Sequence, residues 1–103
     1  MGLFGAIFGN GTSNETIKEM LNNGAVIIDV RTPGEFQGGH VKGSKNYPLQ
    51  TIESKVEELK KINKPLVLCC ASGGRSGQAA SFLKSKGLEC ENGGGWMQVN
   101  ALL

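Results

Sequence analysis

The sequence predicts an α/β fold built on a mainly parallel sheet. Two observations carry that expectation. Ala25-Val26-Ile27-Ile28-Asp29-Val30 and Pro65-Leu66-Val67-Leu68-Cys69-Cys70 are continuous apolar runs, the pattern of strands covered on both faces rather than on one. Around them apolar residues recur at helical spacing, so strands and helices alternate along the chain.

Each element has its own signal. Thr12-Ser13-Asn14-Glu15 reads as a capping box, and the helix it starts buries Ile17, Met20 and Leu21 on one face. Asn23-Gly24 closes that helix and the first apolar strand follows. Thr32-Pro33-Gly34-Glu35 reads as a second capping box with proline at the first helical position, and Gly38-Gly39 keeps that helix short. Tyr47 is placed on a short strand before Pro48, and Ile52, Val56 and Leu59 define a helical face that runs to Lys61. The second buried strand comes next. A helix from about Arg75 to Lys86 buries Ala79, Ala80, Phe82 and Leu83 and stops at Gly87. Leu88-Glu89-Cys90 reads as a last short strand, and Gly93-Gly94-Gly95 leads into an amphipathic end carrying Trp96, Val99, Leu102 and Leu103.

Size and composition narrow the function. The 103 residues suffice for one domain, assigned to residues 12–103, behind an apolar lead-in over residues 1–11. Gly2-Leu3-Phe4-Gly5-Ala6-Ile7-Phe8-Gly9 is far shorter than the about 20 residues that span a bilayer, and it lacks the marks of a secretory signal. Ala6 stands where myristoylation wants Ser or Thr. The segment is read as a loosely packed lead-in, with a weak surface or partner anchor as the alternative. A net charge of +2, scattered signs and only two arginines among eleven basic residues do not suggest a nucleic-acid partner. Three cysteines, two of them adjacent, argue against a disulfide framework and for a reducing, cytoplasmic compartment. One histidine and no C-x-x-C exclude the usual zinc patterns, and no cofactor is expected.

The chemistry is expected at Cys70. It ends a buried strand, and between it and Ser76 every residue except Arg75 has a small side chain. Such a turn curls backbone N–H groups around whatever the strand delivers, and the helix that follows adds the positive end of its dipole. A cysteine so placed has a lowered pKa, and the thiolate is the reactive form. Cys69 precedes it on the strand, points to the opposite face and is read as core; Cys90 is read as core as well. Arg75 is read as bracing the loop or holding an anionic substrate, with a solvated place on the first helical turn as the alternative. Ser72 and Ser76 can donate hydroxyl hydrogen bonds to the sulfur or to a bound oxyanion, and Ser76 can instead help cap the helix. Asp29 lies at the C-terminal end of a parallel strand, where α/β sites form. It and Arg31 either support the site or belong to structural pairs, for instance Arg31 with Glu35. His40 is a conceivable base, but a structural hydrogen bond is the favoured reading.

Several stretches resemble the rhodanese-like family of single-domain sulfurtransferases. Ile28-Asp29-Val30-Arg31-Thr32-Pro33-Gly34-Glu35-Phe36 resembles its "DVR…EF" segment, and Gly39-His40-Val41-Lys42-Gly43-Ser44-Lys45-Asn46 its "GHI-GA-N" segment. Leu68-Cys69-Cys70-Ala71-Ser72-Gly73-Gly74-Arg75-Ser76 resembles its active-site loop, and Gly93-Gly94-Gly95-Trp96 its closing "GG…W". The resemblance implies a five-stranded, mainly parallel sheet with helices on both faces. It also implies sulfurtransferase activity, in which Cys70 takes the outer sulfur of thiosulfate or of a protein persulfide donor. The sulfur then passes to cyanide or to a thiol acceptor such as thioredoxin or glutathione. On this reading the amides of Ala71, Ser72, Gly73, Gly74, Arg75 and Ser76 stabilise the persulfide and the departing group, with Asp29 and Arg31 supporting the loop.

One departure bears on the donor. Many thiosulfate-using members carry an arginine directly after the cysteine, where this chain has Ala71. Related cysteine phosphatases leave one more residue between cysteine and arginine than the four from Ala71 to Gly74, a wider loop for phosphate. Phosphatase or arsenate-type chemistry is therefore a minor alternative, and a non-catalytic binding or regulatory module is the other.

Overall fold

The computed structural model describes residues 13–103; the apolar lead-in over residues 1–11 and Thr12 lie outside the described residues. In chain order the elements are α1 (Asn14–Asn22), β1 (Val26–Asp29), α2 (Pro33–Gln37), β2 (Lys45–Asn46), a 3-10 turn (Leu49–Lys55), α3 (Val56–Ile62), β3 (Leu66–Cys70), α4 (Gly74–Ser85), β4 (Cys90–Gly95) and α5 (Trp96–Asn100). All strand pairs are parallel, in the order β2-β1-β3-β4.

The two continuous apolar runs form the neighbouring central strands, with Val26, Ile27, Ile28 and Asp29 opposite Leu66, Val67, Leu68 and Cys69. Strand alternation splits their side chains between two cores. On one face Ile28, Leu66, Leu68 and Cys70 meet Ile52, Leu59, Ala79, Ala80 and Leu83 from the 3-10 turn, α3 and α4. On the other, Ile27, Val67 and Cys69 meet Ile17 of α1 and Val99 of α5. Both faces are covered, which is why these strands carry no polar alternation until Asp29.

Helix starts follow local chemistry. Ser13 caps α1, its hydroxyl accepting from the Thr16 N–H at 3.3 Å. At α2 the capping box is complete: Thr32 Oγ1 accepts from the Glu35 N–H at 3.2 Å, and Glu35 Oε1 accepts from the Thr32 N–H at 2.9 Å.

Three expectations change. The sheet has four strands among the described residues, not five. The four are those that the residue pattern marks; the fifth was implied only by the family resemblance, and no other described segment is a strand. Tyr47 lies just past β2, whose two residues end before Pro48, although its N–H still reaches the Asp29 carbonyl at 2.9 Å. A proline has no N–H with which to extend the ladder. The last strand runs Cys90–Gly95 rather than ending at Cys90, because the glycine run is itself drawn into the sheet against β3. Glycine is a poor strand former, so space explains its presence. A Cβ on Gly93 would lie 2.8 Å from both Val67 Cγ1 and Val99 Cγ2.

Gly93→Ala should therefore destabilise the protein by about 1–3 kcal/mol through overpacking between β4, β3 and α5. Chemical denaturation of the variant against wild type measures this, and an unchanged midpoint would refute the close approach.

Candidate active site

The strand order places the fold's topological switch between β1 and β3, since the chain leaves β1 towards β2 on one side and later returns to β3 on the other. Crevices at the C-terminal ends of such strands are where α/β proteins build sites. Here those ends carry Asp29 on β1 and Cys70 on β3, with Gly94 and Gly95 of β4 alongside.

Cys70 is 1% exposed. Its Sγ accepts hydrogen bonds from the Gly73 N–H at 3.0 Å and the Ser76 N–H at 3.4 Å. The Ser76 hydroxyl lies 3.4 Å from it, its one proton shared between this sulfur and the Asn92 Oδ1 at 2.7 Å. Gly73 has φ of +104°, a left-handed conformation that glycine adopts without penalty and that turns its N–H onto the sulfur. The Ser76 N–H belongs to the first turn of α4, where amides have no partner within the helix. Burial pushes the Cys70 thiol up, but the Ser76 hydroxyl and the N–H groups of Ser76, Gly73 and Ser72 outweigh it and hold the thiol below its ordinary value. The other two thiols move the opposite way. Burial raises Cys69 to about 12 and Cys90 to about 11. All three are free cysteines, and one of them is prepared to ionise.

Ala71, Ser72 and Gly74 are exposed at the mouth of the loop. Behind the loop, Gly95 approaches so closely that a Cβ there would stand 2.8 Å from the Ala71 carbonyl oxygen.

Arg75 is held by Glu35. Its Nη1 and Nη2 form a bidentate pair with Glu35 Oε1 and Oε2 at 2.8 and 3.0 Å, which braces the loop against α2. Arg75 first and the Thr32 N–H second hold the Glu35 carboxyl down to about 2. Arg31 does form a structural pair, but with Asp29 rather than with the Glu35 offered as an example. It clasps Asp29, Nε at 2.9 Å from Oδ1 and Nη2 at 2.7 Å from Oδ2, and reaches Glu35 only at its backbone carbonyl, 3.3 Å away. Asp29 is two residues from Arg31 and shares its burial, whereas Glu35 is drawn outwards by its capping role. Arg31 also donates to the Gly39 carbonyl at 2.7 Å and lies 4.9 Å from the Trp96 ring centroid, tying the 39–40 turn to α5. His40 has structural partners: Nδ1 is 2.7 Å from the Phe36 carbonyl oxygen and the ring stacks on Phe36 at 3.6 Å.

Two contributors are absent from the sequence reading, Glu35 as the partner of Arg75 and Asn92. Asn92 is 8% exposed. Its Nδ2 donates to the Gly73 carbonyl at 3.0 Å, and its Oδ1 accepts the Ser76 hydroxyl at 2.7 Å and the Gly94 N–H at 2.9 Å. One amide thus clamps the loop, the start of α4 and β4, and orients both residues that donate to Cys70. The available signal was an asparagine, a type depleted in strands, next to the glycine run.

The Cys70 thiolate should titrate with a midpoint below the ordinary value of a cysteine thiol. The ultraviolet thiolate absorbance of wild type minus Cys70→Ser, followed against pH, reads it. Asn92→Ala should raise that midpoint, because the Gly73 and Ser76 donors lose their alignment. If Asn92 only filled space, the melting temperature would fall and the midpoint would stay.

Comparison with known proteins agrees with this architecture. The profile of the Rhodanese-like domain matches residues 13–101. The uncharacterized protein YqhL of Bacillus subtilis is 43% identical over 63 residues, which cover 61% of this chain and 49% of that protein. The thiosulfate sulfurtransferase GlpE of Ectopseudomonas mendocina is 31% identical over 75 residues, 73% of this chain and 68% of that protein. Among solved structures, reduced Bacillus anthracis CoADR-RHD superposes with a TM-score of 0.71 at 32% identity, covering 86% of this chain and 16% of that one. The rhodanese with anions from E. coli gives a TM-score of 0.65 at 33% identity, covering 72% and 89%. The chain therefore spans about half of YqhL and a small part of the B. anthracis protein. A profile match across nearly all the described residues, on a fold shared with these structures, shows that the chain belongs to the rhodanese-like domain family.

Proposed function

We propose that the protein is a sulfurtransferase that carries a sulfane sulfur as a persulfide on Cys70. The observation that supports this best is the convergence of the Gly73 N–H and the Ser76 N–H, with the Ser76 hydroxyl 3.4 Å away, on one buried sulfur. An anionic sulfur away from water is stabilised by dipoles already in place, which need no reorganisation as the reaction proceeds.

In the first half-reaction the Cys70 thiolate attacks the outer sulfur of the donor. The bond from that sulfur to the rest of the donor breaks. Its electron pair leaves as sulfite when the donor is thiosulfate, or as a thiolate when the donor is a persulfide. In the second half-reaction the thiolate of an acceptor such as thioredoxin or glutathione, or cyanide, attacks the outer sulfur of the Cys70 persulfide, and the Cys70 thiolate leaves. Charge and electrons balance in each step, so an ionised Cys70 needs neither a redox partner nor a general base. The small side chains of Ala71 and Ser72 and the absence of one at Gly74 leave the mouth open to the donor.

The sulfur reading is favoured over a phosphatase by Arg75. A phosphate clasp needs a guanidinium free to face the nucleophile, and here both Nη atoms are on Glu35. We place the chemistry in the cytoplasm because the three cysteines stand as free thiols. Among the described residues no helix is long and apolar enough to cross a membrane.

Intact-protein mass spectrometry after incubation with thiosulfate, or with cysteine persulfide, tests the reading. A one-sulfur adduct that reductant removes is expected on wild type and not on Cys70→Ser. An adduct retained by Cys70→Ser, or none on wild type with either donor, would overturn the mechanism.

A further inference from the structure

We infer that the site is built to take sulfur from organic persulfides in preference to thiosulfate, and that Glu35 sets this preference by neutralising the loop; the inference rests on the sulfurtransferase reading above. The loop from Cys70 to Ser76 has one charged side chain, Arg75, and the residue after the nucleophile is Ala71. Both Nη atoms of Arg75 are on the two carboxylate oxygens of Glu35 at 2.8 and 3.0 Å. The neighbouring arginine, Arg31, is likewise committed to Asp29 at 2.7 Å. What the loop offers an incoming anion is therefore N–H and hydroxyl dipoles, with its formal positive charge cancelled.

Glu35 is not a casual surface partner. It occupies the third position of the α2 capping box, where the Thr32 N–H at 2.9 Å and hydroxyl at 3.2 Å both donate to Oε1. Pro33 starts that helix and sets its entry. The carboxylate is thus held in place before Arg75 arrives, and with its carboxyl held down to about 2 it is ionised throughout the neutral range.

The two donor classes place different demands on such a loop. Thiosulfate brings two negative charges towards the Cys70 thiolate, and both leave on sulfite, so an uncompensated cation would favour its reaction. An organic persulfide brings at most one negative charge to the reacting end and leaves as a thiolate bound to carbon. Dipoles suffice for the second and serve the first poorly. The same chemistry is offered by a small persulfide such as that of cysteine and by the persulfide of a protein cysteine.

Glu35→Gln isolates the charge from the shape. Glutamine is the other residue that completes a capping box at this position, so α2 keeps its start while Arg75 loses its counter-charge. The experiment measures initial rates of Cys70 persulfide formation by quenched mass spectrometry at low ionic strength, with thiosulfate, with cysteine persulfide, and with a cysteine desulfurase carrying its persulfide. In wild type the cysteine persulfide rate should exceed the thiosulfate rate. In Glu35→Gln the ratio of thiosulfate to cysteine persulfide rates should rise by at least about tenfold, equivalent to about 1.4 kcal/mol in the barrier difference, and the gain should shrink as salt is added. Arg75→Gln, which leaves Glu35 unopposed, should lower the ratio below wild type, and the double variant should return it towards wild type. Faster transfer from the desulfurase than from an equal concentration of cysteine persulfide supports a protein source, and the reverse supports a small-molecule source. A wild type that prefers thiosulfate, or a Glu35→Gln ratio that does not move, overturns the inference while leaving Cys70 as a persulfide carrier. Failure of every donor to modify Cys70 in wild type overturns the sulfurtransferase reading instead.

Discussion

The side-chain amide of Asn92 is the interaction on which the loop's form depends. A sulfur at the end of a doubly covered strand has lost water on nearly all sides, so its anion survives only if the backbone solvates it. The backbone segment that does this is short, and glycine at position 73 gives it no stiffness of its own. Rigidity comes from outside the loop. Asn92 holds the Gly73 carbonyl and the Ser76 hydroxyl from β4, and the Gly94 N–H completes its oxygen. The bulged register between β3 and β4, in which Leu68 faces Asn92 and Cys69 faces Gly94, brings that amide into reach. The glycines beside it follow from the same demand, since a side chain at Gly95 would collide with the loop at the Ala71 carbonyl.

Charge is handled with equal economy. A buried ion pair is stable only when its remaining hydrogen-bonding capacity is met, and Asp29 and Arg31 meet it with each other, the Arg31 N–H and the Gly39 carbonyl. That pair closes the C-terminal end of β1 and presents the Arg31 guanidinium to Trp96. The second pair, Arg75 with Glu35, lies further out and ties the loop after Cys70 to α2. Both arginines of the chain are spent on architecture, and the attraction that remains for an anionic sulfur is that of amides and a helix start.

The parts legible in the sequence are those whose cause is local. The apolar runs at 25–30 and 65–70 announce strands buried on both faces, and Thr32-Pro33-Gly34-Glu35 announces a helix start, because burial period and capping act within a few residues. The opposite fates of Cys69 and Cys70 follow from strand alternation alone. The strand through Gly93-Gly94-Gly95 was not legible, since glycine's own preference is against strands and only its crowded neighbours Val67 and Val99 explain it. The salt bridge of Arg75 joins residues forty positions apart, and nothing in the spacing of charges distinguishes Glu35 from a residue that only caps α2.

The sequence by itself thus determined the class of fold and the kind of loop that follows Cys70, since each is written in hydrophobic period, capping and side-chain size over short stretches. Tertiary structure alone decided which groups orient that loop and what charge it carries. Asn92 reaches the loop only because β4 pairs with β3 in a shifted register, and Arg75 is neutralised only because α2 sets Glu35 beside it. Both depend on where distant segments meet, a quantity no local pattern encodes.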